Sequence, residues 1–375
     1  MRILYYIYSL PVGGAETVVA EYLGQLRQRG AQVLLVQDYR TESFLTRSLE
    51  EQGIPMVTLW PGSGESKLGL AAKKAARGVG LYRKFNKVIR EFQPDVIHFH
   101  AFPDHMDRLD FPRSRMFYSF HAALERNLSM LGQKNTALLQ SLSDDGLTFC
   151  GLTADYAKEI GSRFHTDRVL CIPNGLDFDR IRSQRYSREE LRSLFGIPED
   201  AFLLGTVGRL HPVKNQERML SILREVQKSR PDARLLIVGA DQAGRADLLR
   251  RQAAKLGVAD ALILAGERRD ADAILAAMDC FLMTSHSEAL PLVAIEAQVQ
   301  GVKCVFSDAV PEDVACQDCV RLSLDESDEQ WAEAVLNASA CSGSPKTLDG
   351  YNVQAIITKL LDVYSGSCGF SRRIP

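Results

Sequence analysis

The sequence predicts an α/β protein built from two parallel-sheet domains, and three observations predict it. Short apolar runs of buried-strand type alternate with helical segments from Arg2 to Tyr364. A length of 375 residues, with 46% hydrophobic and 25% charged residues, suits two cores rather than one. Midway, Pro173-Asn174-Gly175 is dense turn chemistry, and the same strand–turn–helix grammar restarts beyond it.

In the first half, Arg2 to Leu10 reads as a buried strand and Pro11 to Glu16 as a turn into a helix through Leu26. The adjacent Gly13 and Gly14 let backbone come close to a ligand. Strands follow at Ala31 to Asp38 and Pro55 to Trp60, around a helix at Ser43 to Gln52. From Lys67 to Arg90 the chain carries eight lysines and arginines, no acidic residue, and interleaved apolar positions such as Leu81, Phe85 and Ile89. That is a basic amphipathic stretch, read as two helices, and it suits contact with an anionic membrane surface. Asp95 to His100 and Arg115 to His121 are further strands with parallel ends, so His121 lies where ligands gather in an open parallel sheet. His98 and His100 are read as facing opposite sides of their strand and so unable to share one metal ion.

In the second half, Phe202 to Gly208 is a strand, and Arg209 to Asn215 the loop into a helix through Gln227. Arg209 and Lys214 are cations on one strand-to-helix loop and can converge on one anion. Ala233 to Ala240 is a strand with Gly239 at its end, and Ala261 to Ala265 and Cys280 to Met283 follow. After the last comes Ser285-His286-Ser287-Glu288-Ala289-Leu290-Pro291-Leu292, a turn into a helix with Pro291 at its first position and Gly301 just past its end. Such a helix start points unpaired N–H groups and partial positive charge at an anion. Glu288 and Glu296 flank that spot at different depths. Carboxylates accept hydrogen bonds from hydroxyls, so the pattern suits a ligand with hydroxyls on both sides of a phosphate, the layout of a sugar nucleotide. Later strands are expected at Val302 to Ser307 and near Val320 to Leu324, with closing helices at Glu329 to Ala338 and Val353 to Tyr364.

Composition excludes several classes. A net charge of −2 provides no bulk basic field for nucleic acid. The eight cysteines are scattered and fit reduced, buried thiols in the cytoplasm rather than a disulfide scaffold, and Cys316-x-x-Cys319 has neither a second pair nor a nearby histidine. The apolar N-terminus runs into Gly13-Gly14 and reads as a strand rather than a leader. No window approaches eighteen uninterrupted apolar residues, so no membrane span is expected.

The segment "SEALPLVAIEAQ", with its Glu-x7-Glu pair, resembles the signature of the retaining glycosyltransferases of family 4 (group 1), of GT-B architecture, with the closest likeness to bacterial exopolysaccharide and capsule enzymes. "GGAE", "IPNGLD", "GRLHPVKN", "LLIVGA" and "AGERRDADAIL" resemble other family segments, so the likeness covers nearly the whole chain. The resemblance implies two Rossmann-like domains facing across a cleft, with the C-terminal helix crossing back. The expected domains are thus an acceptor-side domain of residues 1–174 plus 353–375 and a nucleotide-sugar domain of residues 175–352. It further implies that Arg209 and Lys214 hold the donor diphosphate, Glu288 the donor sugar and Glu296 the ribose, and that His121 approaches the sugar ring. Gly13, Gly14, Gly208, Gly239 and the run Ala289 to Leu292 would line the donor. The family usually has glycine where this chain has Ala289, which puts sugar choice and rate in question.

The expected reaction is retaining transfer of a hexose from a nucleotide diphosphate to a hydroxyl acceptor, a lipid-linked or growing surface polysaccharide glycan. No cofactor or metal is expected: the sugar nucleotide is substrate, and neither Asp177-Phe178-Asp179 nor Asp270-Ala271-Asp272 suits a cation, the first following a linker turn and the second starting a helix. The expected location is the cytoplasm, peripheral on the inner face of the membrane. A nucleotide-sugar epimerase of the same plan and a non-catalytic sugar-nucleotide-binding subunit are the competing functions.

Overall fold

Two open, fully parallel sheets carry the chain, one in each of two units: Met1–Gly175 with Val353–Pro375, and Leu176–Asn352. The computed structural model describes residues 1–11, 13–60, 70–103, 106–183, 186–241, 244–268, 270–288, 290–315, 318–338 and 348–367; the side chains of 70–79 and 313 lie outside the description.

In unit 1 the elements run β1 (Arg2–Ile7), α1 (Gly14–Gln28), β2 (Gln32–Gln37), α2 (Phe44–Glu51), β3 (Met56–Thr58), α3 (Leu70–Phe92), β4 (Val96–Phe99), β5 (Met116–Ser119), α4 (Leu124–Asp144), β6 (Thr148–Gly151), α5 (Ala154–Phe164) and β7 (Val169–Cys171). The sheet order is β3-β2-β1-β4-β5-β6-β7. The chain starts in the middle, builds outward to β3 and returns to β4, so the order reverses between β1 and β4. Five of the six β1 residues are buried, the continuous apolar run expected of a strand covered on both faces. Helix starts are fixed by side-chain caps: Ser43 accepts from Thr46 N, and Thr153 from Tyr156 N. Tyr6, Phe85, Phe99, Phe120, Phe149 and Phe164 fill one face of the core.

In unit 2 they run α6 (Phe178–Arg182), α7 (Arg188–Leu194), β8 (Leu203–Val207), α8 (Gln216–Gln227), β9 (Arg234–Val238), α9 (Arg245–Leu256), β10 (Leu262–Gly266), α10 (Ala271–Ile274), β11 (Cys280–Met283), α11 (Leu292–Val299), β12 (Lys303–Ser307), β13 (Val320–Leu322) and α12 (Asp328–Asn337). The order β10-β9-β8-β11-β12-β13 reverses between β8 and β11. Capping boxes at Ser187/Glu190 and Ser327/Gln330 start α7 and α12. Arg192 is 2% exposed and held by Asp279 Oδ2 at 2.7 Å and by the carbonyls of Ala277 and Ala201, tying α7 to the entry of β11. The last helix, α13 (Val353–Tyr364), packs in unit 1, where Tyr364 Oη lies 3.0 Å from Tyr5 Oη.

Three expectations change. The basic stretch forms one helix from Leu70 to Phe92 rather than two. The helix Arg245–Leu256 was not foreseen, because its buried residues are only Leu249 and Ala253 and it shows no broad apolar stripe. His98 and His100 lie on one face of β4, ring centroids 4.4 Å apart, since side chains two residues apart on a strand point the same way.

Candidate active site

In unit 2 the loops after β8 and β11 leave the sheet side by side, at the point where the strand order reverses. Open parallel sheets bind ligands at such a point, beyond the carboxyl ends of their strands. The first loop is drawn tight against the end of β9. Gly208 N donates to Val238 O at 2.8 Å, and Leu210 N to Ala240 O at 2.9 Å. Gly239 has φ +154°, and a β-carbon there would come within 2.0 Å of Gly208 O, so only glycine allows this approach. Gly208 is different: a β-carbon would meet Lys214 Cε at an ordinary 3.8 Å, and packing does not demand glycine.

His211 then starts a single 3-10 turn, Pro212–Lys214, its Nδ1 accepting from Val213 N at 3.2 Å, and Asn215 ends it in the left-handed region. The second loop is fastened to this turn. Thr284 Oγ1 donates to Asn215 O at 2.8 Å, and His286 N to Val213 O at 2.8 Å, while Ser285 O accepts from Ser307 Oγ at 2.7 Å. The backbone stitching brings Lys214 Nζ within 2.6 Å of Glu288 Oε1, with the side chains 23% and 9% exposed. Arg209 is exposed on the same loop, its carbonyl accepting from Gln216 Nε2 at 2.9 Å.

Beyond Glu288 the chain enters α11. Leu290 packs on the unit's core, and the buried Pro291 is the N-cap with Leu292 the first helical residue, so proline stands one position earlier than expected. Gly301, at φ +75°, follows the C-cap Gln300 as expected. Ala289 lies outside the described residues. The first N–H groups of α11 have no intrahelical acceptors by construction, and with Lys214 they give the loop junction positive potential.

Glu296 sits within α11, and its carboxyl is pushed up to about 7, first by burial and then by Asp272, with Arg180 opposing. Arg180 Nη1 is itself paired to Asp272 Oδ2 at 2.8 Å. The environment of Glu296 therefore disfavours the charged form, and the carboxyl oxygens can accept hydrogen bonds from hydroxyls. Burial and topology together assemble Glu296 with Arg180 and Asp272, a grouping that sequence spacing did not reveal. Three carboxylates of the two Asp-x-Asp segments have protein partners: Asp177 caps α6, Arg268 takes both oxygens of Asp270 at 2.9 and 2.7 Å, and Asp272 holds Arg180.

In unit 1, Gly13 is the N-cap of α1 and Gly14 its first residue. A β-carbon at Gly14 would meet nothing within 4 Å, and at Gly13 only the movable Glu16 carboxylate at 2.3 Å. Neither glycine is demanded by the unit's own packing. His121, just past β5, has Nε2 2.9 Å from Nδ1 of His100, just past β4. Burial pushes His121 down to about 4 and His100 well below its ordinary value, so both rings are neutral. A cavity of about 1570 Å³ in the same unit is lined by Asp95, Arg115 and Asp167, which precede β4, β5 and β7, and so opens at the amino edge, away from these residues.

Comparison with known proteins agrees with the two units. Residues 12–180 match the family model described as Glycosyltransferase Family 4, and residues 187–351 that described as Glycosyl transferases group 1. The Bacillus subtilis (strain 168) protein named glycosyltransferase EpsF is 32% identical over 230 residues, 58% of this chain and 59% of its own length. The Escherichia coli UDP-Gal:alpha-D-GlcNAc-diphosphoundecaprenol alpha-1,3-galactosyltransferase is 26% identical over 209 residues, 52% of this chain and 54% of its own. The chain thus spans about half the length of the curated relatives it matches. Among solved structures, Anabaena Alr3699/HepE in complex with UDP and glucose superposes with a TM-score of 0.74 at 20% identity, over 98% of this chain and 100% of that one. WaaG, a glycosyltransferase involved in lipopolysaccharide biosynthesis, superposes with a TM-score of 0.67 at 19% identity, over 97% and 100%. With one family model on each unit and this likeness of fold along the chain, the protein belongs to the family 4, group 1 glycosyltransferases and has the GT-B fold.

Proposed function

We propose that this chain transfers a hexose from a nucleotide diphosphate to a hydroxyl of a lipid-linked or growing surface polysaccharide glycan, with retention of configuration. The observation that carries the reading is the Lys214–Glu288 pair at the strand-order reversal, beside the start of α11. In the reaction the bond from the anomeric carbon to the diphosphate oxygen breaks and a bond to the acceptor oxygen forms. The acceptor's hydroxyl proton leaves with the nucleoside diphosphate, whose growing negative charge must be met by fixed positive potential. Lys214, Arg209 and the first N–H groups of α11 supply it without a metal ion, and the arginine and backbone partners of Asp177, Asp270 and Asp272 support that assignment. Glu288, released from Lys214 or sharing it with the diphosphate, orients donor hydroxyls. Glu296 grips the ribose, and His121 faces the sugar ring. Gly13, Gly14, Gly208, Gly239 and residues Leu290 to Leu292 give backbone access to the donor.

HepE was solved with UDP and glucose, and the Escherichia coli relative is named for a UDP-galactose donor and a diphosphoundecaprenol acceptor. These support a sugar-nucleotide donor and a lipid-linked acceptor here. The test is a panel of sugar nucleotides screened by thermal shift, followed by transfer to diphospholipid-linked sugars with and without chelator. One donor raises Tm and is turned over, and chelator leaves the rate unchanged. A panel with no binder overturns the reading; a product formed without acceptor points to the epimerase, and an inverted anomer removes retention.

A further inference from the structure

The order of unit 1's sheet reverses between β1 and β4, and the first residue after β4 is His100, 8% exposed, its N–H donating to Tyr6 O at 2.8 Å. Its ring is fixed on three sides. It stacks on His98 at 4.4 Å and 26°, lies 4.7 Å from the Tyr5 ring, and meets His121 edge to edge, with centroids 5.1 Å and planes 24° apart. His98 is itself held at both ring nitrogens, by Tyr364 Oη at 2.5 Å and Ser119 Oγ at 2.8 Å, so the base of the stack is anchored.

Hydrogen bonding is complete at His98 and incomplete above it. His100 Nδ1 and His121 Nε2 are 2.9 Å apart, but His100 Nε2 and His121 Nδ1 are buried with no partner among the described residues. Two neutral imidazoles carry two N–H groups on four nitrogens. Either His100 donates to His121, leaving an N–H on His121 Nδ1 and a bare His100 Nε2, or the direction reverses and so do both outer nitrogens. Each arrangement leaves one buried N–H unpaired, which costs about 1–3 kcal/mol. A sugar hydroxyl donates and accepts, so it can complete the pair at His121 Nδ1 in either arrangement; a phosphate oxygen, which only accepts, can do so in one.

We propose that His100 is a positioning residue for His121: it holds the ring at the carboxyl edge and couples its tautomer to a buried partner, so that His121 Nδ1 is the point where a ligand hydroxyl completes the pair. The proposal rests on the reading of His121 as facing the donor sugar. His100→Asn keeps a polar atom near the place of Nδ1, whereas His100→Phe fills the ring volume and removes it.

The test uses protein labelled with ¹⁵N-histidine, free of ligand, together with turnover on whichever sugar nucleotide the panel identifies. In the wild type, scalar coupling across the hydrogen bond links His100 Nδ1 to His121 Nε2. His100→Asn retains the His121 tautomer and most of the kcat. His100→Phe releases the ring to a mixture of tautomers and lowers kcat by about tenfold or more with KM little changed. Wild-type His121 signals and kcat in a folded His100→Phe overturn the proposal. So does the absence of the coupling in the wild type, which decides the matter if that variant fails to fold. If no sugar nucleotide is turned over, the functional reading falls while the nitrogen spectra still decide the coupling of the two rings.

Discussion

At the scale of single residues, the site's two charged partners restrain each other. Glu288 is 9% exposed, so removing Lys214 leaves a nearly buried carboxylate without its cation. Glu288→Gln should lower kcat by about a hundredfold, the usual loss for one aligned polar group. Lys214→Met and Glu288→Gln should be clearly non-additive in stability, with a coupling of about 0.5–3 kcal/mol in a double-mutant cycle by denaturant unfolding. Additive values would mean that the 2.6 Å contact is incidental. Gly239→Ala places a methyl on Gly208 O at a positive φ, and should cost about 3 kcal/mol and several degrees of Tm. Gly208→Ala, whose methyl would make only an ordinary 3.8 Å contact with Lys214 Cε, should cost little stability and report instead on ligand approach. Glu296 sets a pH dependence. Its folded pKa is about 7 against an ordinary 4.5, so the fold favours the protonated form. That contribution is fully present below about pH 4.5 and is lost as pH rises through about 7. Relative to Glu296→Gln, the wild type should therefore lose stability as pH rises from about 4.5 through about 7 in urea titrations; parallel profiles would show an ordinary carboxyl.

At the scale of elements, Lys214 and Glu288 were legible as turn residues because Pro212, Asn215, Pro291 and Gly301 punctuate the chain around them. Their pairing was not, since it spans 74 residues and exists only because β8 and β11 are neighbours at the reversal of strand order. The same reason hid His100. Its face and its partner depend on which strand lies beside β4, and the anchor of its stack, Tyr364, is 266 residues from His98. The unforeseen helix Arg245–Leu256 shows the complementary limit: with only Leu249 and Ala253 buried, periodicity had almost nothing to register. Strand cores, by contrast, were read directly, because strands covered on both faces are near-continuous apolar runs whatever their neighbours. The element most sensitive to one change is α7. Arg192→Met should cost about 1–3 kcal/mol, because the carbonyls of Ala277 and Ala201 lose a buried donor while Leu203 N and Arg188 still hold Asp279; a Tm unchanged within a degree would show that those carbonyls find other partners.

At the scale of the whole molecule, the membrane question divides into insertion and attraction. Among the described residues no helix is long and apolar enough to cross a bilayer. The apolar stripe of α3 is also committed elsewhere: Leu81, Phe85 and Ile89 are 3%, 1% and 5% exposed in unit 1's own core. What α3 presents outward over its described side chains is Arg83, Lys84, Lys87, Arg90 and the single acid Glu91, with Lys84 Nζ donating to Leu59 O and Lys87 3.7 Å from Glu91. Residues 61–69 lie outside the description, as do the side chains of 70–79, which carry Lys73, Lys74 and Arg77. We propose that the chain meets an anionic surface by charge alone. Each cation near such a surface contributes about 1 kcal/mol, screened over a Debye length of about 10 Å at 0.1 M salt. Since the net charge is −2, the attraction must be local to this helix. The expected outcome is co-sedimentation with phosphatidylserine-rich vesicles at low salt, release at about 0.5 M salt, and loss on replacing Arg83, Lys87 and Arg90 with glutamine while Tm is unchanged. Binding that survives high salt would require an inserted apolar face, whereas Leu81, Phe85 and Ile89 are already buried in the unit's core, and would sink the electrostatic account.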